Sequence, residues 1–233
     1  MKKLIFTITI LVSLISIQAR TNLNTLWAVF NDESQTKDDR IYALLSLAKA
    51  YKIINTDSSV ILYDIGIQFA NDIEDDTIKA NVFKVKGKHF YNHGLFKETI
   101  QNYDSALYYY IKLDMPFEQA GIYIKIALSY RENGDSKRSK ELLNRALNIF
   151  TQLKDFEGIA AVYNNMSTLE RCKGNYVKAI KLQFDAHKIH IESGNERLIA
   201  GSYNQIAILY KVQEDYENAI LYYKKAIEIN KRI

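Results

Sequence analysis

The residues best suited to metal or nucleophile chemistry are four histidines and one cysteine. His89 and His93 stand at i, i+4, a spacing that puts two imidazoles on one helix face, where a zinc ion can be held. No acidic residue or third histidine stands out beside them as a further ligand. His187 and His190, three apart, make no better set. Cys172 is the only cysteine, so neither an intramolecular disulfide framework nor a Cys-rich zinc site can form. It reads as a small residue on a helix face. A Gly-rich phosphate loop, a nucleophile elbow and an HExxH motif are all missing from the sequence. The expectation is therefore a chain that is not an enzyme, with no catalytic residues, no metal and no cofactor.

A second set of polar residues recurs at a fixed interval. Arg131, Arg171 and Lys211 are each 40 residues apart. Such a stripe suits carboxylates or an acidic partner, because guanidinium and ammonium groups make charge-assisted hydrogen bonds to them. Asn164 and Asn165, with Asn204 and Gln205 one interval later, are pairs of neighbouring amides. An amide both donates and accepts, which matches the backbone of an extended peptide.

What positions these residues is an internal repeat. Gly94, Gly134 and Gly174 are 40 apart, and Glu214 takes the next slot. So are Phe83, Tyr123, Tyr163 and Tyr203, and likewise Ala80, Ala120, Ala160 and Ala200. Small residues recur at Gly87, Ala127, Ser167 and Ala207, and at Ala106, Ala146, Ala186 and Ala226. Phe96, Tyr176 and Tyr216 share a slot in which Ser136 is the odd member. Within each unit apolar residues return every three or four positions, as at Ile122, Ile126 and Tyr130, which predicts a helix pair. Asn133-Gly134-Asp135 reads as the turn between two such helices, with glycine ending one and aspartate capping the next. Asn175 and Asp215 are expected to cap in the same way, and Asp75, Asp155 and Asn195 to cap the first helix of their units. Pro116, the only proline, falls in a first helical turn. Small residues let the helices cross closely, and the aromatic slots fill the space beside them.

This pattern resembles the tetratricopeptide repeat (TPR) family. The last unit carries Tyr203, Ala207 and Tyr210, then Ala219, Tyr223 and Ala226. The unit before it carries Tyr163, Ser167, Gly174, Tyr176, Ala179 and Ala186. The period of 40 exceeds the usual 34, and Glu170 and Gln183 stand where the pattern has aromatics. The resemblance implies an all-α helix-turn-helix solenoid, a right-handed superhelix of about five helix pairs. The repeats are expected near 38–72, 75–113, 116–153, 155–193 and 195–232, making 38–233 the array and 20–37 a leading helix (near 22–31) and polar joint. It further implies that the first helices line a concave groove for a protein or peptide. On the ligand-facing slots of that groove stand Lys84, Lys88, Tyr91, Arg131, Asn164, Asn165, Arg171, Asn204, Gln205 and Lys211.

The rest of the composition is that of a globular chain. Hydrophobic residues make up 48% of the 233 and charged residues 25%, and one Pro with nine Gly excludes a low-complexity tract. Lys2 and Lys3, the apolar stretch from Leu4 to Ile17, and the small Ala19 form the pattern of a secretory signal over 1–19. Its removal lowers the formal net charge from +4 to +2. No Lys/Arg cluster of the kind that neutralises many phosphates is present, so nucleic acid is not expected as a partner. The expected location is outside the cytoplasm, in the periplasm. At the C-terminus Ala219, Tyr223, Ala226 and Ile229 would leave part of an apolar face uncovered. Either a second copy covers it, or the chain continues into further repeats, a membrane helix and an output domain. Exported arrays of this kind resemble the sensor regions of bacterial signalling proteins of the histidine kinase or transcription regulator type. The alternative is a self-standing periplasmic adaptor or assembly factor.

Overall fold

The computed structural model describes residues 17–54 and 56–233. The expected export signal lies mostly outside the described residues. Among those described, every regular element is a helix: α1 (Ile17–Asn31), α2 (Lys37–Ile54), α3 (Thr56–Asp72), α4 (Asp76–Asn92), α5 (Phe96–Lys112), α6 (Pro116–Glu132), α7 (Ser136–Leu153), α8 (Phe156–Cys172), α9 (Tyr176–Ser193), α10 (Glu196–Val212) and α11 (Tyr216–Arg232). After α1 they pack as five antiparallel pairs, α2 with α3 through α10 with α11. The leading helix is longer than the 22–31 expected, since α1 begins at Ile17, ahead of the expected cleavage point. The chain divides into two compact units, 1–114 and 115–233.

In the first unit α1 lays Leu23 into a core built by Leu44, Leu47, Tyr51, Leu62, Tyr63 and Val82. Trp27 and Phe30 meet edge to face, and Phe30 meets Phe69 in the same way at 5.8 Å. Arg40 fastens the polar joint after α1. Its guanidinium lies 4.9 Å over the Phe69 ring and its Nε donates to the Phe30 carbonyl at 2.9 Å. Further on, Gly87 explains why one slot of the repeat stays small: a Cβ there would stand 2.9 Å from the Tyr103 ring.

The second unit centres on Ala120, Ile124, Ala127, Leu143, Ala146, Phe150, Val162 and Leu169. The alanines that recur every 40 residues are fully enclosed, which is what close helix crossing requires. Ser167, the polar member of its slot, is also enclosed and donates its hydroxyl to the Ala179 carbonyl at 2.7 Å. Each helix pair of this unit closes through the same turn. The N–H of Asp135, Asn175 and Asp215 reaches back to the carbonyls of Tyr130, Glu170 and Tyr210 at 2.8, 2.9 and 3.0 Å. Gly134 and Gly174 take the left-handed conformation at these turns, and Glu214 takes it as well, at φ 61°. Asp75, Asp135, Asp155, Asn195 and Asp215 all cap a helix by accepting a backbone N–H. Asn175 departs from expectation: it makes no side-chain cap, because its amide is drawn to Glu170 instead.

Candidate functional site

The first helices of the second unit, α6, α8 and α10, carry seven of the ten residues assigned from sequence to a ligand groove. Helices α6 and α8 touch directly. Arg131, Arg171 and Lys211 occupy equivalent places in the last turns of these helices. That is where a cation is favoured by the carbonyl end of the helix dipole. Arg131 is engaged by its neighbour Glu132, with Nη2 at 2.6 Å from the carboxylate. Arg171 is half-buried and Lys211 exposed, and neither has an acid partner among the described residues.

The amides divide. Asn164 accepts from Gln183 Nε2 at 2.8 Å through its side-chain oxygen. Asn165 donates to the Ala161 carbonyl of its own helix at 2.7 Å. Each therefore keeps three of its four side-chain hydrogen-bonding sites for anything else. Asn204 is half-buried, Gln205 is exposed, and neither side chain makes a hydrogen bond among the described residues. In the first unit Lys84 is exposed with its ammonium 5.6 Å over the Tyr110 ring, and Lys88 is exposed. Tyr91 is half-buried, edge on to Phe96 at 5.9 Å.

Two residues that break the aromatic pattern turn out to organise the turn beneath this face. Glu170 is only 3% exposed, yet basic and amide groups gather round it. Lys178 donates to it at 2.6 Å and Asn175 at 2.7 Å, with Lys173 at 3.9 Å. The hydrogen bond from Lys178 is the main reason its pKa lies below the ordinary carboxylate value. Gln183, equally enclosed, holds Asn164 across the helix pair. Their sequence signal was the missing aromatics. A polar residue in a buried slot calls for a buried partner.

The histidines are used within the fold. His93 Nδ1 lies 2.8 Å from the His89 carbonyl, and the two rings are 4.5 Å apart. His187 Nδ1 lies 2.6 Å from Ser202 Oγ. Ser202 donates its own hydrogen to the Ile199 carbonyl, so the network assigns the Nδ1 proton to His187. His190 is buried, and its Nδ1 has no hydrogen-bond partner among the described residues. Burial lowers the pKa of both imidazoles. Among the described residues no group of three or more His, Cys, Asp or Glu is placed to hold a metal ion. None of the described helices is long and apolar enough to cross a membrane.

With the geometry in hand, residues 158–232 match the sequence profile of the tetratricopeptide repeat. Residues 67–167 match a profile described as "Uncharacterized protein conserved in bacteria (DUF2225)". No curated protein matches the chain. Solved structures do. BtubC (BKLC) from P. vanneervenii is 15% identical with a TM-score of 0.74, the match covering 92% of this chain and 89% of that one. A Podosopora anserina putative kinesin light chain with nearly identical TPR-like repeats is 14% identical with a TM-score of 0.66, over 83% of this chain and 96% of that one. Rap protein, crystallised in complex with competence and sporulation factor, is 14% identical with a TM-score of 0.67, over 91% of this chain and 76% of that one. At these identities the likeness establishes the fold: a TPR solenoid of roughly five helix pairs. Such a solenoid presents an extended surface suited to binding a partner.

Proposed function

We propose, from the premise that this chain carries tetratricopeptide repeats folded as a helix-pair solenoid, that it captures an extended acidic segment of a protein or peptide. The segment lies along the first helices of the second unit. Arg171 and Lys211 hold its carboxylates, and Asn204 and Gln205 bond its backbone. One observation carries the reading: Arg171 and Lys211 stand in equivalent last turns of α8 and α10, 40 residues apart, without an acid partner among the described residues. The likeness to Rap protein, which was crystallised in complex with competence and sporulation factor, supports a scaffold that binds a partner. We place the scaffold outside the cytoplasm on the strength of the secretory pattern in residues 1–19, and assign it to the sensing part of a bacterial signalling protein from the resemblance to exported repeat arrays of that kind.

Charge reversal tests the reading. The double variant Arg171→Glu/Lys211→Glu should lower capture of a partner from a periplasmic extract by about tenfold or more, as expected for losing charge-assisted hydrogen bonds. Unchanged capture by a variant of normal helicity would overturn it.

A further inference from the structure

A second surface, in the first unit, has a different chemistry. Phe83 of α4 and Asp104, Ser105, Tyr108 and Tyr109 of α5 line an open pocket of about 350 Å³. Phe83 and Tyr109 stack nearly parallel, 13° apart with centroids at 6.0 Å. Tyr108 stands almost perpendicular to Tyr109, at 80° and 5.2 Å, so the rings form a corner. Tyr108 is 64% exposed, which leaves its ring open to a ligand.

The corner combines ring faces with one acid, Asp104, and has Lys79 and Lys112 at its edge. Aromatic faces are negative, and the fold itself already holds the Lys79 ammonium 5.8 Å over the Tyr109 ring. Lys79 and Lys112 both bind Asp76, whose pKa is lowered chiefly by the hydrogen bond from Lys112. Asp104 is the remaining acid. No basic residue lies within four positions of it on its helix, and it has no ion pair among the described residues. Partial burial raises its carboxyl above the ordinary value, which disfavours the charged form unless a cation compensates it. A cation in the corner would supply that compensation and lie against ring faces at once.

We propose that this pocket receives the side-chain cation of a lysine or arginine from a peptide partner, held between the Tyr108 ring and the Asp104 carboxylate. The proposal rests on the scaffold reading but not on the α8 and α10 residues, so the two can fail separately.

The test uses the full chain and a blocked Gly-Lys-Gly peptide, with the norleucine analogue as control, followed through the tyrosine ring signals by NMR. The expected result is a saturable shift of Tyr108 and Tyr109 with the lysine peptide and none with norleucine. Asp104→Asn and Tyr108→Ala should each weaken binding by about fivefold, the scale of an exposed cation–π or charge contact. Both positions are exposed, so the variants should keep normal helicity. No saturable shift, equal binding of the norleucine peptide, or Asp104→Asn binding as tightly as the parent would each overturn the proposal. The Arg171→Glu/Lys211→Glu variant should bind the lysine peptide normally. A pocket that fails while partner capture still depends on Arg171 and Lys211 would leave the scaffold reading standing.

Discussion

Glu214 sits at the turn between α10 and α11 with φ 61°, in the slot that glycine fills at 94, 134 and 174. A side chain in the left-handed region brings Cβ against the following carbonyl, at about 1–2 kcal/mol. Glycine removes that contact but loses more entropy on folding, so part of the gain is offset. Glu214→Gly is therefore expected to stabilise the protein by about 0.5–1 kcal/mol. The check is a rise in the urea midpoint with an unchanged slope; a lower midpoint would mean that the glutamate is held by more than its turn. The same position shows how the sequence can be read. Its place in the period identified the turn, but only the backbone angle shows that a glutamate has been forced into a glycine conformation.

Between α9 and α10 the balance is set by two elements packing together. His187 and His190 are enclosed there. His187 packs 4.3 Å from the Tyr203 ring and faces Ser202 of α10, with Lys225 of α11 nearby. Glu157 of α8 pulls the His190 pKa up, but desolvation outweighs it. Both imidazoles therefore titrate below their unfolded value of 6.5. A depressed histidine binds fewer protons folded than unfolded, so stability rises with pH across that window. Unfolding by urea should show full stability above about pH 7 and a loss as the pH falls below about 6.5. His187→Gln/His190→Gln should remove most of that loss, and a pH dependence unchanged in the double variant would place its origin elsewhere. The helices themselves were legible in the sequence, because period, caps and small slots all agree at each unit. What a polar residue does inside a buried slot was not. Glu170, Gln183 and His187 depend on partners 5 to 19 residues away, brought close only by the pairing of helices. The pocket of Phe83, Asp104, Tyr108 and Tyr109 was equally hidden, since its ring angles follow from packing and not from spacing.

At the scale of the whole chain, each of the two compact units encloses apolar side chains of its own, and the candidate surfaces fall in different units. Lys84, Lys88 and the Asp104 pocket belong to the first unit, while Arg171 and Lys211 belong to the second. Whether those surfaces meet a periplasmic ligand depends on export, and the N-terminus makes that testable. Lys2 and Lys3 precede a stretch of apolar residues shorter than the roughly 20 needed to span a bilayer. A signal peptidase would cut after Ala19, inside the first turn of α1. The remaining helix still carries Leu23, Trp27 and Phe30 onto the core, so cleavage should leave the first unit folded. Native protein purified from its source cells should therefore begin at Arg20 and fractionate outside the cytoplasm. A chain that retains Met1 and stays in the cytoplasm would move the ligand search to cytoplasmic partners, without altering the chemistry of Arg171, Lys211 or the aromatic pocket.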